Sequence, residues 1–227
     1  MAKTSQPEFS TILALAATCA ANRINGGQYL KDDVPSTIWD WETRTQIPNP
    51  EHALANKHLV LKALVNTELI TKADHEQAVV LQSYFQGLVM KILSETLGDF
   101  ETKMFTLATG ETVTPRDFGL LAYLPTHYAI MSAKRTVVDR LEACQREYIA
   151  QPEDKIQANL EVVRIVYSQK YSCNYISAIT DDNKRVLFAY SGSTQFELNQ
   201  KYSIKATVKR HDGDWVTVLG RVKPTKI

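Results

Sequence analysis

The sequence predicts an α+β fold: an α-helical N-terminal domain over residues 1–154, then a small five-stranded β-barrel domain over residues 155–227. Three observations lead there. Five β-type runs follow one another from Leu160 onward with only turn-length gaps. The chain before them carries helical spacing and helix-stop residues. Charge divides at the same place: residues 159–227 hold 11 Lys+Arg against 6 Asp+Glu, and residues 1–158 hold 15 against 19. The whole chain is nearly balanced, with 26 basic and 25 acidic residues, so net charge alone is silent about partners.

Phe9 to Arg23 is rich in Ala and Leu and helical in propensity, and Asn25-Gly26-Gly27 stops it. It is too short and too interrupted by Ser and Thr for a signal peptide, and no run approaches 18 apolar residues, so no membrane contact is expected. Asp32 to Pro50 reads as irregular, punctuated by Pro35, Pro48 and Pro50. Within it, Trp39-Asp40-Trp41 has two readings. The rings either dock a partner protein, as tryptophans in binding hot spots do, or pin the segment to the helical core.

Glu51 to Ile70 suits an amphipathic helix, with Asn49 as its cap and Pro50 at its first position. Thr71 caps a longer helix, Lys72 to Leu97, with Asp74 as the acid three residues in and Gly98 as the stop. Phe100 to Thr114 is ambiguous and admits a hairpin around Thr109-Gly110. Pro115 to Leu124 forms one helical segment, and Thr126 to Ala150 the last helix, with Ile130, Val137, Leu141 and Cys144 on one face. The polar stretch Gln151-Pro152-Glu153-Asp154 marks the domain boundary.

The barrel strands are expected at Leu160–Ser168, Tyr171–Thr180, Lys184–Ser191, Tyr202–Arg210 and Trp215–Lys223, all rich in residues that fit a pleated surface. In the fourth, Tyr202, Ile204, Ala206 and Val208 point one way and Ser203, Lys205, Thr207 and Lys209 the other. One face is core and the other polar and basic. Phe188, Tyr202 and Trp215 are expected in the core, because so small a barrel needs large side chains to fill it. Tyr171 and Tyr175 remain open between core and exposed stacking platforms.

Catalytic signatures are missing. The sequence holds no phosphate-binding GxxxxGK[ST] loop, no HExxH and no GxSxG. Cys19, Cys144 and Cys173 lie far apart, which excludes a zinc ribbon or disulfide framework and fits a reducing cytoplasm. Asp74-His75-Glu76 is the densest polar trio, but consecutive helical residues diverge and cannot share a metal. No cofactor, metal or enzymatic activity is expected.

Five short strands in about 65 residues match the size and strand count of an OB-fold, a Greek-key barrel that binds oligonucleotides. The stretch Lys201–Lys223, KYSIKATVKRHDGDWVTVLGRVK, resembles the closing hairpin of OB-type domains in phage-encoded DNA-transaction proteins. In those a lysine-bearing strand passes through a short Asp/Gly turn into a strand ending in Arg-Val-Lys. The resemblance covers about a third of the chain and implies nucleic-acid binding by analogy.

Residue chemistry and resemblance together nominate Arg164, Tyr171, Tyr175, Lys184, Arg185, Lys205, Lys209, Arg210 and Arg221 for a single strand, DNA or RNA. Cations would meet phosphate and rings would stack on bases. Asp212 and Asp214 in the closing turn would repel phosphate. Trp39 and Trp41 are the partner-binding candidates, toward a replication or recombination protein or a second copy of the chain. The expected function is a non-enzymatic single-strand-binding accessory protein of DNA replication, recombination or repair, phage-encoded and working in the host cytoplasm. The alternative is an adaptor whose barrel docks on another protein.

Overall fold

A computed structural model describes residues 7–94 and 98–226, apart from the side chains of Ile92 and Lys226. The chain divides into two units, Met1–Ser132 and Ala133–Ile227.

The first unit starts with a two-residue strand β1 (Phe9–Ser10) and helix α1 (Thr11–Ile24). Every residue from Ala14 to Ala21 in α1 is buried, as expected of a helix apolar on all sides. Its alanines let α2 (Asn56–Val65) and α3 (Lys72–Gln86) pack against it. Burial, with help from the Asp74 carboxylate, pushes the Cys19 thiol up to about 12, which makes it a packing group and not a nucleophile. Phe85, Leu81, Met104, Leu121 and Leu124 complete the core. Among the described residues, no helix is long and apolar enough to cross a membrane.

Several elements depart from the sequence reading. Asp32 to Pro50 is not wholly irregular: β2 (Thr37–Asp40) and β3 (Thr45–Pro48) form an antiparallel hairpin. The helix expected from Glu51 begins only at Asn56. Asn49 folds back instead, accepting from Glu51 N at 3.0 Å, and Val34 bridges to Ala53. Asp33 supplies the missing acceptor, taking Ala55 N at 2.6 Å. Thr71 and Asp74 do form a reciprocal capping box at the start of α3. That helix breaks at Gly87, with a short α4 (Val89–Leu93) after it; Leu97 lies outside the described residues. Gly98 opens rather than closes a helix, α5 (Asp99–Thr109). No hairpin forms at Thr109-Gly110; Thr112–Val113 is a strand, β4, that pairs with β1. Pro115–Asp117 is a tight 3-10 turn leading into α6 (Phe118–Leu121). Helix α7 runs Leu124–Glu142, shorter than expected.

The second unit is built on a closed five-stranded barrel: β5 (Lys155–Ser168), β6 (Cys173–Thr180), β7 (Arg185–Tyr190), β8 (Lys201–Asp212) and β9 (Val216–Lys226), in the order β5-β6-β7-β9-β8. Only β7 and β9 run parallel. Strand β5 is long enough to serve two neighbours. Lys155–Glu161 pairs with β8, and Leu160–Ser168 pairs with β6 beyond a bulge between Val162 and Arg164. The β8 alternation is as expected: Tyr202, Ile204, Ala206 and Val208 are buried with Leu160, Ile176, Phe188 and Leu219. Each such aliphatic or aromatic contributes roughly 1.5–3 kcal/mol. Tyr202 also fixes the β7–β8 connection, its hydroxyl donating to Gln195 O and accepting from Glu197 N. Trp215 is a correction. It is 42% exposed, because the β8–β9 turn carries it off the barrel.

The end of α7 and the stretch between it and β5 belong to this unit. Gln145 N donates to Asn183 O at 2.8 Å, Ile149 N donates to Thr217 Oγ1 at 3.1 Å, and Arg140 pairs with Glu161 at 2.9 Å. Tyr148 stacks on His211 with ring centres 3.7 Å apart and planes 5° from parallel. The division at Ser132 therefore falls ahead of the polar break at Gln151–Asp154.

Candidate nucleic-acid interface

Strand alternation sets the outer face of β8. Lys205 faces Gln157 on β5 at one side and Lys223 on β9 at the other; Thr207 faces Lys155 and Gly220. Two bulges then re-aim side chains, the usual effect of an extra residue in a ladder. On β9, Arg221 and Val222 together oppose Ala206, and Arg221 takes a positive φ of 55°. On β8, Lys209 is the extra residue between the Val208–Leu219 and Arg210–Val218 pairs. A Cβ on Gly220 would lie 3.9 Å from Lys209 Cβ, an ordinary contact.

The outcome is a groove of about 450 Å³ across β5, β8 and β9, lined by Lys155, Gln157, Lys205, Thr207, Arg221 and Lys223, with no acidic residue on its walls. None of these cations, nor Lys209 beside them, is in an ion pair among the described residues. Several cations elsewhere in the unit are matched. Lys201 holds Asp181 at 3.0 Å, Lys184 holds Glu147 at 3.0 Å and Arg210 holds Asp212 at 2.8 Å. Four unpaired cations, with Lys209 beside them, thus share one groove, while Arg146, Arg164 and Arg185, also in no ion pair among the described residues, lie apart from it.

The nominated residues do not form one site. Lys205 and Arg221 line the groove and Lys209 flanks it. Arg210 is turned to Asp212 by two parallel hydrogen bonds, at 2.8 and 3.0 Å, which hold that carboxylate below its usual pKa. Lys184 is only 18% exposed and is engaged by Glu147. Arg164 and Tyr175 point outward on the opposite half of the barrel, across from Ser177 and Val166. Tyr175 is 37% exposed, so it is not core. Tyr171 is exposed in the β5–β6 connection, with the Lys170 ammonium 5.2 Å from its ring centre. Arg185 lines a different cleft, with Glu142, Arg146, Asp214 and Trp215.

Lys155 and Lys223 were missed. The signal for Lys155 was present: Lys155, Gln157 and Asn159 alternate with Ile156, Ala158 and Leu160, so the first strand begins five residues earlier than its apolar run. In the first unit, Trp39 and Trp41 are both exposed, at 50% and 84%, and do not pin the segment. They meet edge to face at 6.4 Å, and Ile38 and Ile47, paired across the same hairpin, are exposed too.

Comparison with family models, with curated proteins and with solved structures finds no match to this chain.

Proposed function

We propose that this chain is a non-enzymatic, single-stranded nucleic-acid-binding accessory protein of DNA replication, recombination or repair, phage-encoded, with an OB-like barrel as its binding part. The strand order β5-β6-β7-β9-β8 with one parallel pair, and a long bulged first strand shared by two neighbours, support the OB-like reading.

One observation carries the functional reading: Lys155, Lys205, Arg221 and Lys223 line a groove with no acid among its described lining and are in no ion pair among the described residues. Cations already neutralised by a neighbour gain little from phosphate. Unmatched ones release counterions from the strand when they bind it. Backbone contacts of this kind give little sequence preference. The exposed Trp39 and Trp41 support a partner-docking role for the first unit, since tryptophan is enriched among the residues that anchor protein interfaces.

The test is fluorescence anisotropy with a labelled single-stranded oligonucleotide and its duplex at low salt. The expected result is saturable binding, tighter for the single strand. No binding to either would overturn the proposal and favour an adaptor whose barrel docks on protein.

A further inference from the structure

The second cleft of the barrel unit has a different chemistry from the cationic groove. It has a volume of about 560 Å³ and is lined by Glu142, Arg146, Arg185, Asp214 and Trp215. Two guanidinium groups and two carboxylates surround one space. None of the four is in an ion pair among the described residues. Arg185 packs against the buried Cys144 thiol, and its own Nε is buried with no acceptor among the described residues. An unsatisfied buried donor is a cost to the fold. The charges cancel around the cleft, so it is no phosphate trap. It offers donors and acceptors side by side.

The fifth residue supplies a flat surface. Trp215 lies in the turn that links β8 to β9, closed by Val216 N on Gly213 O at 3.4 Å. Asp214 and Trp215 both have positive φ, 57° and 61°. This is the backbone that asparagine and glycine take in such turns, and the one glycine here sits one place too early. A bulky ring in this region is strained, and such strain persists where the surroundings enforce it. The surroundings do. Tyr148 packs against Trp215 at 5.2 Å and stacks on His211; His211 Nε2 bonds Ala150 O at 2.8 Å, and the Tyr148 hydroxyl donates to Asp212 O. Two rings in series, Tyr148 and His211, hold the half-exposed Trp215 indole at the cleft.

We infer that this cleft is a nucleobase site: the ring stacks on Trp215 while Arg185 and Arg146 donate to its carbonyl and ring nitrogens and Glu142 and Asp214 accept from its N–H groups. Every base carries both donors and acceptors on its edge. Aromatic stacking is tolerant of base identity, so the site adds affinity with modest preference. The inference deepens the nucleic-acid reading and rests on it for the strand that delivers the base, with phosphates held by the groove and a base held here.

The test uses the full chain with Trp39→Phe and Trp41→Phe. Both positions are exposed, and Trp215 becomes the sole tryptophan. Its fluorescence is titrated with guanosine monophosphate and, separately, with ribose 5-phosphate, which has the phosphate and no base. N-acetyltryptophanamide corrects for absorption and collisional quenching. The expected result is saturable quenching by guanosine monophosphate with a millimolar midpoint and none by ribose 5-phosphate. Arg146→Ala should weaken that quenching severalfold, with melting temperature as the folding control. Equal responses to both probes, or quenching no greater than that of the free indole, would overturn the inference. If a labelled oligonucleotide binds while Trp215 stays silent, the base site fails and the groove reading stands. If guanosine monophosphate titrates Trp215 but no oligonucleotide binds, the base site stands and the strand-binding reading fails.

Discussion

Arg221 holds a backbone conformation that disfavours any side chain, and it does so on the wall of the cationic groove. A residue other than glycine in the left-handed region costs about 1–2 kcal/mol. Arg221→Gly is therefore expected to keep or raise stability in chemical denaturation, by up to about 1 kcal/mol, while weakening oligonucleotide binding. Loss of stability would show that the bulge needs the arginine for packing. Lys209 and Arg210 make a sharper pair. They are neighbours in sequence, yet Lys209 is in no ion pair among the described residues and Arg210 is clamped to Asp212. Lys209→Ala should weaken binding and flatten its salt dependence; Arg210→Ala should change neither by a measurable amount. Strand alternation made the outward aim of Lys205 and Lys209 legible in the sequence. The capture of Arg210 was not legible, because it depends on where a bulge turns the chain. Nor was that of Lys184, whose partner Glu147 comes from before the first barrel strand.

Elements read well where local chemistry decides them and poorly where a distant residue does. The α3 capping box at Thr71 and Asp74 was visible because both partners lie within four residues. The start of α2 was not, because its acceptor, Asp33, comes from 22 residues upstream. Asp74 itself joins two elements. It is 2% exposed and accepts from Thr71 and, through both oxygens, from Arg23 on α1. Burial alone would raise its pKa, but the Arg23 and Thr71 hydrogen bonds outweigh it and the value is lowered. A carboxylate lowered on folding contributes stability that is fully present above its unfolded pKa, near 3.9, and is lost as pH falls through the folded value. Arg23→Ala should cost about 2–3 kcal/mol at neutral pH, since hydrogen bonds to a charged group are lost and the carboxylate stays buried. It should also move acid unfolding to higher pH. Circular dichroism along a pH titration measures both; an unmoved acid midpoint would mean that Arg23 does not set the Asp74 proton affinity.

At the scale of the molecule, the barrel and its charge were legible, since five β-rich runs and a surplus of five positive charges are properties of composition and order. The edge of the unit was not. Residues 143–150 carry few strand signals, yet they are tied to the barrel through Asn183, Thr217, Asp212 and His211. A fragment of residues 133–227 should therefore fold cooperatively, and one of residues 155–227 should melt lower, because Thr217 and the Tyr148–His211 stack lose their partners. Equal melting temperatures would show that the preceding stretch adds nothing to the barrel. Phosphate contact along the β5–β8–β9 groove is read from the slope of log affinity against log salt. Each contact with a single strand adds about −0.7, so the four groove cations together with Lys209 predict a slope of about −3.5 for the intact chain. Lys205→Ala with Lys223→Ala should shallow it by about 1.4, with the melting temperature little changed. A double variant with the parent's slope and affinity would contradict the account and place the strand, if it binds, on another face of the barrel.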